Sequence, residues 1–483
     1  MSVSVRTPAA RWSRRLSGAA VLALVAAVPA GAETLESALS RAYAANPALN
    51  SERARLRSVD ETVSQAQAGY RPTVSLDADI GVQQFEGILA GQRAGGGGLL
   101  GSGIGSGSTT NGGALVTRPG GASLTINQTL FNGFRTDNQT RQAESNVLTN
   151  REAIRLTEMT TLFNAAQSYM NVLRDTANLE LQRNNVEVLE EQLRQTRDRF
   201  NVGEVTRTDV AQAEARLSGA RSQVSAAESQ LRSSIGIYRQ NIGVEPRQLA
   251  PGRPLDRYVP KSLEEAVNIG LREHPQILAS FHAVDAAELQ VKVAESMLYP
   301  TAGISGLVQQ RYDQQLPGDN GVTASIVGRI SVPIYQGGTE YSQIRQAKEL
   351  VGQARLIAER DRDSVRSLIV QAWGRLEAAK AQVLASQAQV QANEVALNGV
   401  REEARVGQRT TLDVLNAQQE LLNSRVNLIL AQRDRVVNSY DVVQTIGRLT
   451  VRYTSLPVAA YSPKEHFDQV KDLWYGVSTP DGR

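Results

Sequence analysis

Cysteine is absent from the 483-residue chain, and histidine occurs only as His274, His282 and His466. Without thiols there is no disulfide framework, no thiol nucleophile, no thiolate metal site and no cysteine to carry a lipid anchor. The three histidines form no ligand cluster, and no serine–histidine–aspartate set can be nominated. The sequence therefore offers no catalytic, cofactor-binding or metal-ligating residues. Beyond the first 32 residues there is also no run of 18 apolar residues, so no membrane-spanning helix is expected. What remains is a periplasmic or secreted protein, or a membrane β-barrel.

The positive charge is equally thin. Arg6, Arg11, Arg14 and Arg15 precede an apolar run from Leu16 to Val28 and the small-x-small sequence Ala30-Gly31-Ala32. That pattern reads as a secretory signal peptide, residues 1–32, cleaved after Ala32. Its four arginines, unaccompanied by any acid, turn the formal charge of +3 into −1 when they leave. Nothing in the balance argues for nucleic acid as a partner.

What the chain does contain is a copy of itself. Thr34-Leu35-Glu36-Ser37-Ala38 through Asn46-Pro47 resembles Ser262-Leu263-Glu264-Glu265-Ala266 through His274-Pro275, 228 residues on, and Pro72 matches Pro300 at the same offset. Later landmarks keep an offset of 204: Arg141-Gln142-Ala143 with Arg345-Gln346-Ala347, Tyr169 with Trp373, and Gly203 with Gly407. The first copy thus carries 24 extra residues between Pro72 and Arg141, an interval that includes the glycine-rich stretch 87–121. The chain divides into a first repeat, residues 33–261, a second repeat, residues 262–446, and a tail, residues 447–483.

Each repeat runs helix, strand, loop, strand, long helix, turn, helix. Asn46-Pro47 and His274-Pro275 break the opening helices. Period-two alternation then predicts strands over about 72–86 and 122–131, and over about 300–311 and 322–333. Val74, Leu76, Ala78 and Ile80, for example, alternate with Ser75, Asp77 and Asp79. Such strands are ~10 residues long, enough to cross a bilayer when tilted. Tyr70, Phe131, Phe134, Tyr299 and Tyr335 stand where strands meet helices, as an interfacial aromatic belt would. The long helices that follow, of roughly 65 residues, would each span on the order of 100 Å. Ala378, Ala381, Ala385, Ala388, Ala392 and Ala396 form a small-residue seam for close packing in the second of them, and Leu162, Ala166, Tyr169 and Leu173 continue that spacing in the first. The helix before the first strand and the partner helix after the tip together nearly match the long one in length and are expected to stack end to end beside it.

Two matching turns close the long hairpins. One lies near 200–209, in Arg199-Phe200-Asn201-Val202-Gly203-Glu204-Val205-Thr206-Arg207-Thr208-Asp209-Val210; the other lies near 405–413, in Arg405-Val406-Gly407-Gln408-Arg409-Thr410-Thr411-Leu412-Asp413-Val414. Glycine suits the residue past a helix end, because it takes positive φ without a Cβ clash. Threonine or aspartate then caps the next helix. Locally, Arg409 and Asp413 are also spaced as an ordinary helix-face pair.

Four strands cannot span a membrane alone, because the edge N–H and C=O groups would stay unpaired in lipid. Closure takes at least about eight strands. Three chains would supply twelve strands and twelve helical columns, six similar repeats around one axis.

On these residues the chain resembles the TolC family of trimeric outer-membrane channel-tunnel proteins, from 33 to about 450. The two Leu-Glu-x-Ala openings ending in proline carry the resemblance, with both tips and the continuations Thr208-Asp209-Val210 and Asp413-Val414-Leu415-Asn416-Ala417. The tail, with Gly447-Arg448-Leu449-Thr450 and Lys471-Asp472-Leu473-Trp474, looks like the branch that includes type I protein-secretion channels. The resemblance implies a mixed α and β membrane protein: a duplicated protomer giving a trimeric, 12-stranded outer-membrane β-barrel continuous with a long periplasmic α-helical barrel of coiled-coil helices. The tail would lie at the periplasmic equator. It implies a homotrimer in outer-membrane lipid of a Gram-negative cell. It would serve as the passive exit duct of a tripartite machine for type I secretion, multidrug efflux or both. An inner-membrane transporter, ABC or proton-driven, and a periplasmic adaptor (membrane fusion protein) would open it, the adaptor docking at Val202, Gly203, Val406 and Gly407. By position Arg409 would be the lock arginine of the periplasmic gate, with Thr208 and Asp209 as partners, and Asp413 an entrance carboxylate ring. Ala404 stands where the best-known member has a lock tyrosine, and Asn416 where it has a second ring aspartate. The competing reading, a periplasmic adaptor or structural coiled coil without a pore, would show one hairpin and no duplicated bilayer-length strands.

Overall fold

Each repeat opens on a proline that starts a helix as well as stopping one. The computed structural model describes residues 33–85, 115–313, 318–480 and 482; residues 1–32, where the signal peptide is expected, and residues 86–114 of the glycine-rich stretch lie outside the described residues. In the first repeat, α1 (Leu35–Ala45) ends at Asn46, whose side chain accepts from the backbone N–H groups of Ala48 and Leu49 to cap α2 (Pro47–Gln67). Proline at the first helical position costs nothing, since its missing N–H would have had no intrahelical partner. The second repeat substitutes His274 for Asn46 between α5 (Leu263–Glu273) and α6 (Pro275–Glu295), its Nδ1 accepting from Gln276 N at 3.2 Å. Burial pulls the His274 imidazole down to about 4, which keeps it neutral and leaves that nitrogen free to accept.

The strands come next. β1 (Thr73–Ile80), β4 (Gly120–Asn132), β5 (Thr301–Tyr312) and β6 (Asn320–Ser331) form one antiparallel sheet in that order. The first expected strand is split: β2 (Gln83–Phe85) pairs with β3 (Leu115–Thr117) as a separate ribbon. The break falls where Pro119 interrupts the partner chain; its carbonyl accepts from Gly81 N at 2.7 Å, but it has no N–H to return. Register fixes two faces. Val74, Ile126, Gly306 and Ile326 line up across one row, and Leu76, Leu124, Val308 and Ala324 across another. The opposite face carries Asp77, Ser123, Gln309 and Thr323, and then Asp79, Gly121 and Arg311. Arg311 reaches past Gly121 to pair with Asp79. The central pairing of β4 with β5 joins the two repeats, and β1 and β6 are left as edges.

The long helices are α3 (Arg135–Asn201) and α7 (Thr339–Arg405), 67 residues each and therefore about 100 Å long. Beyond the tips, α4 (Arg207–Ile242) returns along α3 and α8 (Thr411–Thr445) along α7. α2 and α6 complete the columns end to end. Asn46 Nδ2 donates to Asn241 O at the end of α4, and the Arg448 guanidinium just past α8 grips the Glu273 carboxylate at 2.6 and 2.7 Å beside the start of α6. The largest core lies at this joint, around Leu49, Leu56, Met159, Leu162, Tyr169, Tyr238, Ile242, Tyr440 and Leu449. A short α9 (Val451–Thr454) follows, and α10 (Pro463–Val470) brings the tail back onto α2.

The alanine seam on α7 is not the packed one. Ala372, Leu376, Ala379, Ser386 and Leu397 are buried, with Val383, Val390 and Asn393 half-buried between them, alternating steps of four and three as a coiled-coil seam does. Ala378, Ala381, Ala385, Ala388, Ala392 and Ala396 are exposed, and the helical period puts most of them on the opposite side with Leu384 and Val395. Alanine fits a close helix contact on either face, so its spacing could not say which partner it meets. In α3 the expected positions do pack: Leu162, Ala166 and Tyr169 are fully buried and Leu173 lies against the core.

Candidate functional site

The two hairpin tips have the same hydrogen-bond skeleton, residue for residue. At the first, Gly203 takes φ +85°, Gly203 N donates to Phe200 O, and Glu204 N donates to Arg199 O at 2.9 Å. At the second, Gly407 takes φ +81°, Gly407 N donates to Ala404 O, and Gln408 N donates to Glu403 O at 2.9 Å. These paired bonds satisfy the last carbonyls of α3 and α7 in the Schellman arrangement, which needs a residue tolerant of positive φ. The following helices start with reciprocal caps. Asp209 N donates to Thr206 Oγ1 while Thr206 N donates to Asp209 Oδ2 at 2.9 Å. Asp413 N donates to Thr410 Oγ1 while Thr410 N donates to Asp413 Oδ2 at 3.0 Å.

These bonds set the charges. The Thr206 hydroxyl and amide hold the Asp209 carboxyl below its ordinary range. The Thr410 amide and hydroxyl do the same for Asp413. Arg409 donates from Nε to Glu403 Oε2 at 2.8 Å, and Glu403 with Asp413 raises it further, so it is a fixed cation. Arg199 pairs with Glu204 at the other tip. Val202 and Val406 are both more than 70% exposed.

The expected site residues thus gather at two tips of one chain. Thr208 and Asp209 sit on the first turn of α4, Arg409 precedes the cap of α8, and Asp413 and Asn416 lie on its first turns. Among the described residues, the hydrogen bonds and ion pairs of Asp209 and Arg409 stay within their own hairpins. Near the tips another group makes a bond between hairpins: Arg216 Nη2 of α4 donates to Asn416 Oδ1 of α8 at 3.0 Å. Just beside it Leu415 packs among Leu189, Leu193, Ala213, Leu217 and Ala220. Arg216 and Glu403 went unmarked in the sequence, one arginine and one glutamate on helices full of both. Thr206 and Thr410 were legible, as threonines three residues ahead of an acid. Among the described residues, no group of three or more His, Asp or Glu side chains could hold a metal ion.

The model of the outer membrane efflux protein family matches residues 38–238 and 267–448, most of both repeats. The chain belongs to that family. This outer membrane efflux protein is 40% identical over 453 residues to the outer membrane efflux protein BepC of Brucella suis biovar 1, an alignment covering 93% of each chain. It is 26% identical over 439 residues to the outer membrane protein TolC of Escherichia coli, covering 86% of this chain and 83% of the relative. Among solved structures it superposes on the Campylobacter jejuni CmeC outer membrane channel with a TM-score of 0.72 at 16% identity, over 91% of this chain and 89% of the other. That last likeness speaks to the fold alone. The family is one of efflux channels rather than enzymes, and its place is the outer membrane, from which the helices extend into the periplasm.

Proposed function

We propose that three copies of the chain close a twelve-stranded barrel over a twelve-column helical tunnel, gated at the hairpin tips. The sheet carries the reading: one face is apolar, the other polar, and β1 and β6 are unpaired edges. In hydrocarbon those edges must find partners, and the next copy supplies them. The exposed apolar face of α7, with Leu384 and Val395 each 70% exposed, gives the helical region a surface of the same kind to seat against a neighbour.

The duct's substrate passes down the axis, and the gate is worked from the periplasmic end. Arg409, Thr208 and Asp209 form the lock across hairpins when the six tips converge, and Asp413 supplies a three-fold carboxylate ring. A periplasmic adaptor docks on the tips, where Val202 and Val406 project from the glycine turns, and an inner-membrane transporter supplies the energy. Within its own hairpin Arg409 pairs through Nε with Glu403 at the exposed tip.

Protein purified from outer membranes is expected to run as a heat-modifiable trimer and to form pores in planar bilayers. In those pores Arg409→Ala should raise single-channel conductance. A soluble monomer would overturn the architecture; trimers whose conductance is untouched by Arg409→Ala and by Asp209→Ala would overturn the gate alone.

A further inference from the structure

The tail beyond residue 448 lies outside the residues matched to the family, yet it is tied to the foot of the barrel. α10 is held on α2 by a buried pair, His466 Nδ1 and Asp60 Oδ2 at 3.0 Å, and is met from α3 by Arg151, whose guanidinium lies 5.0 Å from the centre of the Phe467 ring. Past α10 the chain runs on toward the strands. The carbonyl of Leu473 accepts from Ser64 Oγ at 3.0 Å and from Arg71 Nη1 at 2.6 Å. Arg71 also lies over the indole of Trp474, 4.9 Å from its centre. Arg71 is two residues ahead of Thr73, where β1 enters the membrane sheet, and its neighbour Tyr70 is bonded through its carbonyl to Gln128 of β4. One arginine therefore fixes the end of the chain, some 400 positions away in sequence, to the rim of the barrel.

The fixed segment points its bulk outward. Leu473 is 46% exposed, Trp474 66% and Tyr475 93%. At the same level Tyr70, Phe134, Tyr299 and Tyr335 stand exposed where the other strands meet their helices. Tryptophan and tyrosine have apolar bodies and one polar tip, which suits the headgroup layer better than either water or hydrocarbon. An exposed Leu-Trp-Tyr run in water would be a liability; continuous with a membrane-facing aromatic girdle it has a solvent.

We propose that Leu473-Trp474-Tyr475 is a lipid-contact element, placed by Arg71 in the headgroup layer of the periplasmic leaflet of the outer membrane. It rests on the reading of the sheet as a membrane barrel. It makes the tail an added collar that sets the depth of the barrel in the bilayer, independently of the strands.

The lack of cysteine allows a direct test. Single cysteines replace Tyr475, the barrel residue Ile326 or the tip residue Val406, and carry a bimane fluorophore in trimers reconstituted into phosphatidylcholine vesicles. Nitroxide lipids quench from shallow or central depth, and iodide quenches from water. The Tyr475→Cys label should lose emission to the shallow nitroxide and resist iodide, while Val406→Cys shows the reverse and Ile326→Cys answers to lipid quenchers only. Adding Arg71→Ala should release the tail and return the Tyr475→Cys label to iodide. A Tyr475→Cys label quenched by iodide alone puts the tail in water, and one shielded from both quenchers puts it against a second copy. Either result, with Ile326→Cys still in lipid, overturns the proposal and leaves the barrel standing. If Ile326→Cys also ignores lipid quenchers, barrel and collar fall together.

Discussion

Asp209 and Asp413 are each bound to two different tasks. As third residues of their helices they close reciprocal caps with Thr206 and Thr410, and in the proposed duct Asp209 also serves the lock and Asp413 the entrance ring. The cap makes the charge robust, because both carboxyls are held below the ordinary aspartate range. A depressed acid contributes stability that is fully present above its unfolded value, near pH 4, and is lost as pH falls through the lower folded one. The tips should therefore stay intact at neutral pH and loosen only in strong acid. Cleavage of the purified protein by pepsin over falling pH should open near residues 200–209 before the shafts of α3 and α4 are cut. Thr206→Ala removes one half of the first cap, worth about 1 kcal/mol, and should move that cleavage to higher pH. An identical cleavage profile for the variant would mean that the cap does not hold the tip.

At the scale of elements, the strands and hairpins were readable because their signals are local. Alternation put three strands within two residues of β4, β5 and β6 and ran a fourth across both β1 and β2, and Val-Gly followed by threonine and aspartate marked both turns. The signal failed where the partner decides. Nothing near residue 81 announces that Pro119 will cut the first strand short, and the alanines of α7 look alike whether they face α8 or another chain. The pattern that packs, from Ala372 to Leu397, is a mixture of alanine, leucine, valine, serine and asparagine, so hydrophobicity alone did not single it out. Arg216 was invisible for the same reason: its partner Asn416 is 200 residues away. The two faces of α7 predict opposite phenotypes. Leu376→Ala removes a fully buried side chain and should destabilise the protomer by ~2–5 kcal/mol. Val395→Glu lies on the exposed face and should leave the helical content intact while abolishing trimers. Circular dichroism beside heat-modifiable gel migration separates the two, and a stable Val395→Glu trimer would move the subunit contact to another face.

For the whole molecule, the sheet with its apolar face lies at one end of the long helices and the two hairpin tips at the other; in the proposed trimer the charge that matters is the charge carried at the tips. If residues 1–32 are removed as expected, the formal charge of the chain is close to zero, so selectivity in a trimeric pore would come from local rings rather than the overall field. Asp413 is the acid available for such a ring, since Asn416, one turn on, is neutral and already accepts from Arg216. A single ring should give cation preference that weakens with salt, as exposed charges are screened over about 10 Å at 0.1 M. Asp413→Asn separates charge from fold, because the amide oxygen can still accept from Thr410 N and keep the α8 cap. Reversal potentials across a salt gradient should therefore shift from cation-selective toward zero in Asp413→Asn, and block by multivalent cations applied from the periplasmic side should be lost. Asn416→Asp is the converse change: it should strengthen both effects, and its new carboxylate would also charge the bond from Arg216 and tighten the join between hairpins, lowering conductance. If both variants keep the parent's reversal potential, the narrowest part of the path lies elsewhere than the ring of tips.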